Sequence, residues 1–248
     1  MTPETLSHTW LANQIRLSVF PTSPWELPAD LWSGVVGEAP ETDQSQPRVN
    51  TRTQSGSWHG GVLQVATTPL RADWVFSPSG DDAGGPQFSR VADVLPPFVA
   101  ATRTWLTTGN ASMKRIAFGI SALVQTADRV EAYELLQLFT QSLKIDPKAS
   151  SDLSYRINHP VSSQVIKGLR LNRLTTWTAL LIRPLQLQLG PSSDAQVAPG
   201  SGQHFAMLEC DINTPAEHAE PLDLALLGAT YDELVQLALE NLERGEVI

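Results

Sequence analysis

One cysteine, Cys210, in 248 residues rules out an internal disulfide and leaves no second thiol for a cysteine-based zinc site. The chain has no GxxxxGK[ST] loop, GxGxxG turn, HExxH pair, GxSxG elbow or CxxC. The short motifs of nucleotide binding, zinc hydrolysis and serine hydrolysis are therefore all missing. His8, His59, His159, His204 and His218 lack metal-ligand spacing. These gaps lead us to expect no catalytic set, no metal and no cofactor. No apolar run reaches the length of a membrane span, and residues 1–17 lack the basic flank and apolar stretch of a secretory signal. Together with a cysteine that reads as a buried thiol, this points to a cytoplasmic protein that does not engage a membrane.

A hydrophobic fraction of 42 % against 17 % charged residues is that of a folded globular chain. The net charge of −9 is unevenly placed. Residues 1–208 hold acids and bases in equal number, whereas residues 209–248 hold ten acids and one base, Arg244. Residues 113–183 lean basic. These regions either neutralise one another in the fold or present an acidic surface to a basic protein partner. A broad nucleic-acid-binding face is disfavoured.

Period-two alternation predicts strands at QIRLSVF (14–20), at three segments within 48–76, and at 115–125, 153–158, 168–189 and 204–213, the long one bent at Pro184. Helices are predicted over 28–39, 97–106, 128–143 and 230–244. The third and fourth are opened by the capping boxes Asp128-x-x-Glu131 and Thr230-x-x-Glu233. Residues 80–86 and 190–203, rich in glycine, serine and proline, read as loops, the second a long mobile connection. The expected fold class is α+β. Two sequential modules, 1–110 and 111–248, each read strand, helix, three strands, helix, with mainly antiparallel sheets and helices packed on one face. This order hints at an internal structural duplication.

In LECDIN (208–213), Glu209, Asp211 and Asn213 share one strand face and Leu208, Cys210 and Ile212 the other. Two carboxylates at this spacing suit a divalent cation or acid–base work. Arg170 and Asn172 share a face in the same way, and a neighbouring strand would let Arg170 neutralise Glu209 or Asp211. Six of the seven tryptophans lie within the first 105 residues, and they read as core with an aromatic binding surface as the alternative. Trp58, beside His59-Gly60-Gly61, is the one placed to bind. The candidate ligand residues are thus Arg170, Asn172, Glu209, Asp211, Trp58 and His59.

The strand Gly168-Leu169-Arg170-x-Asn172-Arg173, the later LECDIN and the closing amphipathic helix resemble a sporadically distributed family of uncharacterised prokaryotic proteins. The resemblance covers residues 168–245, with Leu171 where that family carries an aromatic residue. It implies a fold pattern and an accessory-gene distribution, and no reaction. The functional expectation is a non-enzymatic interaction or regulatory protein that binds a protein partner, with homo-oligomerisation as a further option. The alternative is a small-ligand or nucleotide binder, or a hydrolase, with its site between the modules.

Overall fold

The alternation in QIRLSVF sends Ile15, Leu17 and Val19 to one side, where all three are fully buried, and Arg16 and Ser18 to the other. A computed structural model describes residues 6–25, 31–80, 86–109, 111–183, 185–189, 195–199, 202–218 and 220–246. The first part of the chain forms β1 (Leu11–Pro21), α1 (Ser33–Val36), β2 (Thr42–Gln46), β3 (Thr51–Trp58), β4 (Gly61–Thr68), β5 (Arg71–Gly80), β6 (Pro86–Gln87), β7 (Ser89–Arg90) and α2 (Val91–Thr108). It continues through β8 (Met113–Thr126), α3 (Arg129–Phe139), β9 (Ser154–Asn158), β10 (Val161–Ser162) and β11 (Arg170–Ile182). The remainder is β12 (Leu185–Leu189), β13 (Ala195–Pro199), β14 (Gln203–Asn213) and α4 (Leu224–Arg244).

Twelve strands join in one sheet of order β10-β11-β14-β8-β1-β5-β4-β3-β2, with β6, β7 and β9 attached to β5, β1 and β11. Every pairing is antiparallel. This overturns the expectation of two sequential strand–helix–three strands–helix modules. β1, from the first half, pairs with β8, from the second, along nearly its whole length. α2 and α4 also meet across the halves, through Thr102 Oγ1 and the Tyr231 hydroxyl at 2.9 Å and through Arg103 and Asp232 at 2.8 Å. One core holds Leu17 and Trp74 together with Phe118, Leu208, Tyr231 and Leu242. Element order within each half was readable from local pattern. The β1–β8 pairing is a contact between distant segments, on which local pattern is silent.

Two helix starts also move. α2 begins at Val91 and runs through Pro96 and Pro97, six residues before the expected start at residue 97. Val91, Val94 and Leu95 are buried with Phe98 on the same stripe, and their burial outweighs the two lost backbone donors. α4 begins at Leu224, where Asp223 accepts from the Ala225 N–H at 2.9 Å. The supposed capping residue Thr230 is mid-helix and bonds back to the Leu226 carbonyl. β2 occupies residues that carried no prediction, because all five of its residues are exposed and polar enough to hide the pattern. Part of the expected loop 190–203 is the strand β13, paired with β12; Pro184, 190–194 and 200–201 lie outside the described residues, as do 26–30 and 81–85.

Trp10, Trp32, Trp74, Trp105 and Trp177 are buried, which makes them core. No helix among the described residues is long and apolar enough to cross a membrane.

Past the end of α4, Gly245 turns the chain at φ 76° and Glu246 folds inward. The Glu246 carboxylate is fully buried, and it accepts from the Tyr155 hydroxyl (2.8 Å), His159 Nε2 (3.2 Å) and the Ser142 N–H (2.9 Å). Burial alone would raise its pKa, but these donors together hold it below the ordinary carboxylate value. A carboxyl depressed on folding contributes stability above its unfolded pKa and loses that contribution as pH falls through the folded value. Acid titration of unfolding should therefore show a shallower low-pH decline in Glu246→Gln than in the parent chain. Parallel declines in the two would remove Glu246 from the acid response.

Candidate functional site

α2, α3 and α4 pack against the sheet, and the face of β14 opposite the buried Leu208, Cys210 and Ile212 is polar toward its C-terminal end. Strand pleat puts Glu209, Asp211 and Asn213 of β14 on that polar face. Register sets them opposite Thr176, Leu174 and Asn172 of β11, and opposite Ser121, Gly119 and Ala117 of β8 on the other side. Beyond β11, Arg156 and Asn158 of β9 face Thr176 and Leu174. Beyond β8, Arg16 of β1 faces Gly119.

A hydrogen-bonded ladder crosses these strands. Asn158 Nδ2 donates to Asn172 Oδ1 at 3.1 Å, Asn172 Nδ2 to Asn213 Oδ1 at 3.1 Å, and Asn213 Nδ2 to Asp211 Oδ1 at 2.9 Å. From the opposite side Arg16 Nη2 reaches Asp211 Oδ2 at 3.4 Å. Arg16 spans an intervening strand to do so, passing over Gly119, where a Cβ would make only an ordinary contact at 3.4 Å from Arg16 Nη2. Arg115 secures the lower end, donating to Asn213 Oδ1 and the Thr214 carbonyl. Both Asp211 oxygens are thus engaged and the carboxylate is held in one orientation.

Glu209 and Arg156 differ from this network. Among the described residues neither makes a hydrogen bond or an ion pair, although they flank Thr176 from either side on the same face. Arg156, Leu174, Thr176, Glu209 and Asp211 line a groove of about 270 Å³.

Of the residues singled out from sequence, Glu209, Asp211 and Asn172 come together here. Arg170 does not. It lies opposite Ser162 of β10 and donates to the Pro160 carbonyl at 3.1 Å, because the register that pairs Asn172 with Asn213 carries Arg170 past the end of β14. The cation that meets Asp211 is Arg16. Trp58 and His59 sit apart on the β3–β4 hairpin, whose turn residues His59 and Gly60 have φ of 45° and 76°. The Trp58 ring meets Phe76 and Phe98 edge to face at 6.0 and 6.2 Å, so it packs toward the core. Arg16 and Arg156 were not singled out from sequence, yet Arg16 occupies the polar phase of the QIRLSVF alternation, which was the available signal.

Arg173, next to Asn172, points the other way into the core, where its Nε donates to Asn241 Oδ1 at 2.9 Å. Cys210 lies beside it, buried, with a thiol pKa pushed up to about 12 by that burial. It is an inert structural thiol. Among the described residues no group of three His, Cys, Asp or Glu converges as a metal site, so the Glu209–Asp211 pair lacks a third anionic ligand. The acidic stretch after residue 208 is largely engaged within the fold. Asp232 pairs with Arg103, Glu240 with Arg173, and Glu233 accepts from Ser163 and Gln164. Glu243 accepts from the Ser7 N–H. Among the described residues Glu209, Glu217 and Glu220 are the acids of this stretch without a partner. No family model matches the chain, and no curated protein matches it.

Proposed function

We propose that this chain is a non-enzymatic binding protein whose working surface is the helix-free face of the sheet, with a small polar ligand held in the groove over Thr176. The observation that carries this reading is the unpaired couple Arg156 and Glu209. Opposite charges on a shared face ordinarily pair or are screened by solvent. Here they flank a groove beside a ladder that pins Asp211, an arrangement of preset charges around a space. The resemblance at residues 168–245 adds only the expectation that the chain belongs to a prokaryotic accessory system.

Unfolding of the chain in the protein-free small-molecule fraction of a prokaryotic lysate tests the reading, since a ligand bound only by the native state raises the melting temperature. The expected result is a rise for the parent chain that is lost in Arg156→Gln, an exposed substitution without a partner to disturb. An equal rise in both, or none in either, refutes it. A protein partner is the second reading, favoured by Leu138, which is 73 % exposed beside a separate groove of about 400 Å³ lined by Val124, Leu135, Glu131 and Glu134.

A further inference from the structure

The groove over Thr176 has room, charge and floor that narrow the class of its occupant. At about 270 Å³ it falls just under the ~300–1,000 Å³ of pockets that hold drug-sized ligands, which disfavours a nucleotide. A bare divalent cation would find two carboxylates, one of them already bound by Asn213 and Arg16. A simple anion would meet Arg156 but also the unpaired charge of Glu209. A simple amine would leave Arg156 unused.

Resting on the binding reading above, we infer that the groove holds a zwitterion with an ammonium and a carboxylate on one carbon, the chemistry of a free α-amino acid. Arg156 and Glu209 each stand one strand away from Thr176, so a strand spacing of about 4.8 Å sets their Cα atoms roughly 10 Å apart. Both side chains are long enough to close on a small molecule between them. The ammonium lies against Glu209. The carboxylate takes Arg156, whose planar fork accepts a carboxylate through two parallel bonds. Thr176, whose hydroxyl makes no hydrogen bond among the described residues, offers a donor and acceptor at the floor, and Leu174 offers apolar contact to the ligand's carbon. Asp211 is neutralised by Arg16, which leaves one free charge of each sign, as a zwitterion requires.

The test is an amide NMR titration of the full chain with each common L-α-amino acid, beside its N-acetyl and its C-terminal carboxamide forms. At least one free amino acid is expected to move the amide signals of Arg156, Thr176 and Glu209, and both blocked forms should bind about tenfold more weakly or worse, each having lost one charge-assisted contact. Arg156→Gln should bring the free amino acid down to the affinity of its carboxamide, and Glu209→Gln to that of its N-acetyl form. Blocked forms that bind as tightly as free ones overturn the zwitterion while leaving the groove as the site. Silence at these three signals with every amino acid overturns it too. If the lysate fraction still stabilises the parent chain and not Arg156→Gln, the binding reading survives that silence; if it does not, both fall.

Discussion

Gly245→Ala should lower stability by about 3 kcal/mol, a fall of roughly 6–12 °C in melting temperature for a chain of this size. Gly245 has φ 76° and ψ −140°, a region that a side chain enters at a cost. The space is also closed. An added Cβ would lie 2.4 Å from the Phe139 carbonyl oxygen and 2.6 Å from its Cα, and backbone atoms cannot rotate away as a flexible side chain can. Relief requires the chain end to lift from α3. That breaks the Glu246 N–H to Phe139 carbonyl bond of 2.7 Å and withdraws the buried Glu246 carboxylate from Tyr155, His159 and Ser142. Gly168→Ala, with φ 82° and nothing within 4 Å of its Cβ, is the comparison that lacks the clash. Thermal unfolding of the two variants should show the larger loss in Gly245→Ala. Equal losses would mean that the contact with Phe139 yields freely.

Arg173→Met is expected to cost about 3 kcal/mol, and the added change Asn241→Leu to restore most of it. Arg173 is 3 % exposed, donates to Asn241 Oδ1, and stands 3.5 Å from Glu240. Burial pushes its pKa down, and the Glu240 charge pulls it partly back, so the guanidinium is held where desolvation opposes it. Removing it leaves the buried Asn241 carbonyl without its donor, while Glu240, nearer the surface, turns to water. With both polar partners replaced by apolar groups, nothing buried stays unsatisfied. Urea unfolding of the single and double variants, with an unchanged denaturant slope, gives the two values. A double variant less stable than Arg173→Met would show that the site needs the charge itself.

What was legible in the sequence was period and polarity. β1, β4, β5 and β14 lie where alternation put them, and the shared face of Glu209 and Asp211 follows from the pleat alone. Gly245 ends α4 as its position predicted. The helix starts at Val91 and Leu224 were obscured because burial overrode local signals at Pro97 and Thr230. The partners of the site were out of reach for a different reason. Whether Asp211 meets Arg170 or Arg16 depends on register and strand order, and both are set by pairings between segments remote in sequence.

The central pairing also has a consequence in time. Leu17 of β1 waits for Phe118, and Phe118 in turn for Ile212. During synthesis β1 has β5 as its neighbour, and its other edge stays open until β8 emerges. β8 then offers a fresh open edge until β14 follows. The strands at the middle of the finished sheet are thus edges for much of the chain's production, and their closure spans long loops that slow folding. Exposed pairing edges on a partly made chain are the surfaces most prone to wrong association. The demand on this sequence is heaviest at its best-buried strands, before they are buried.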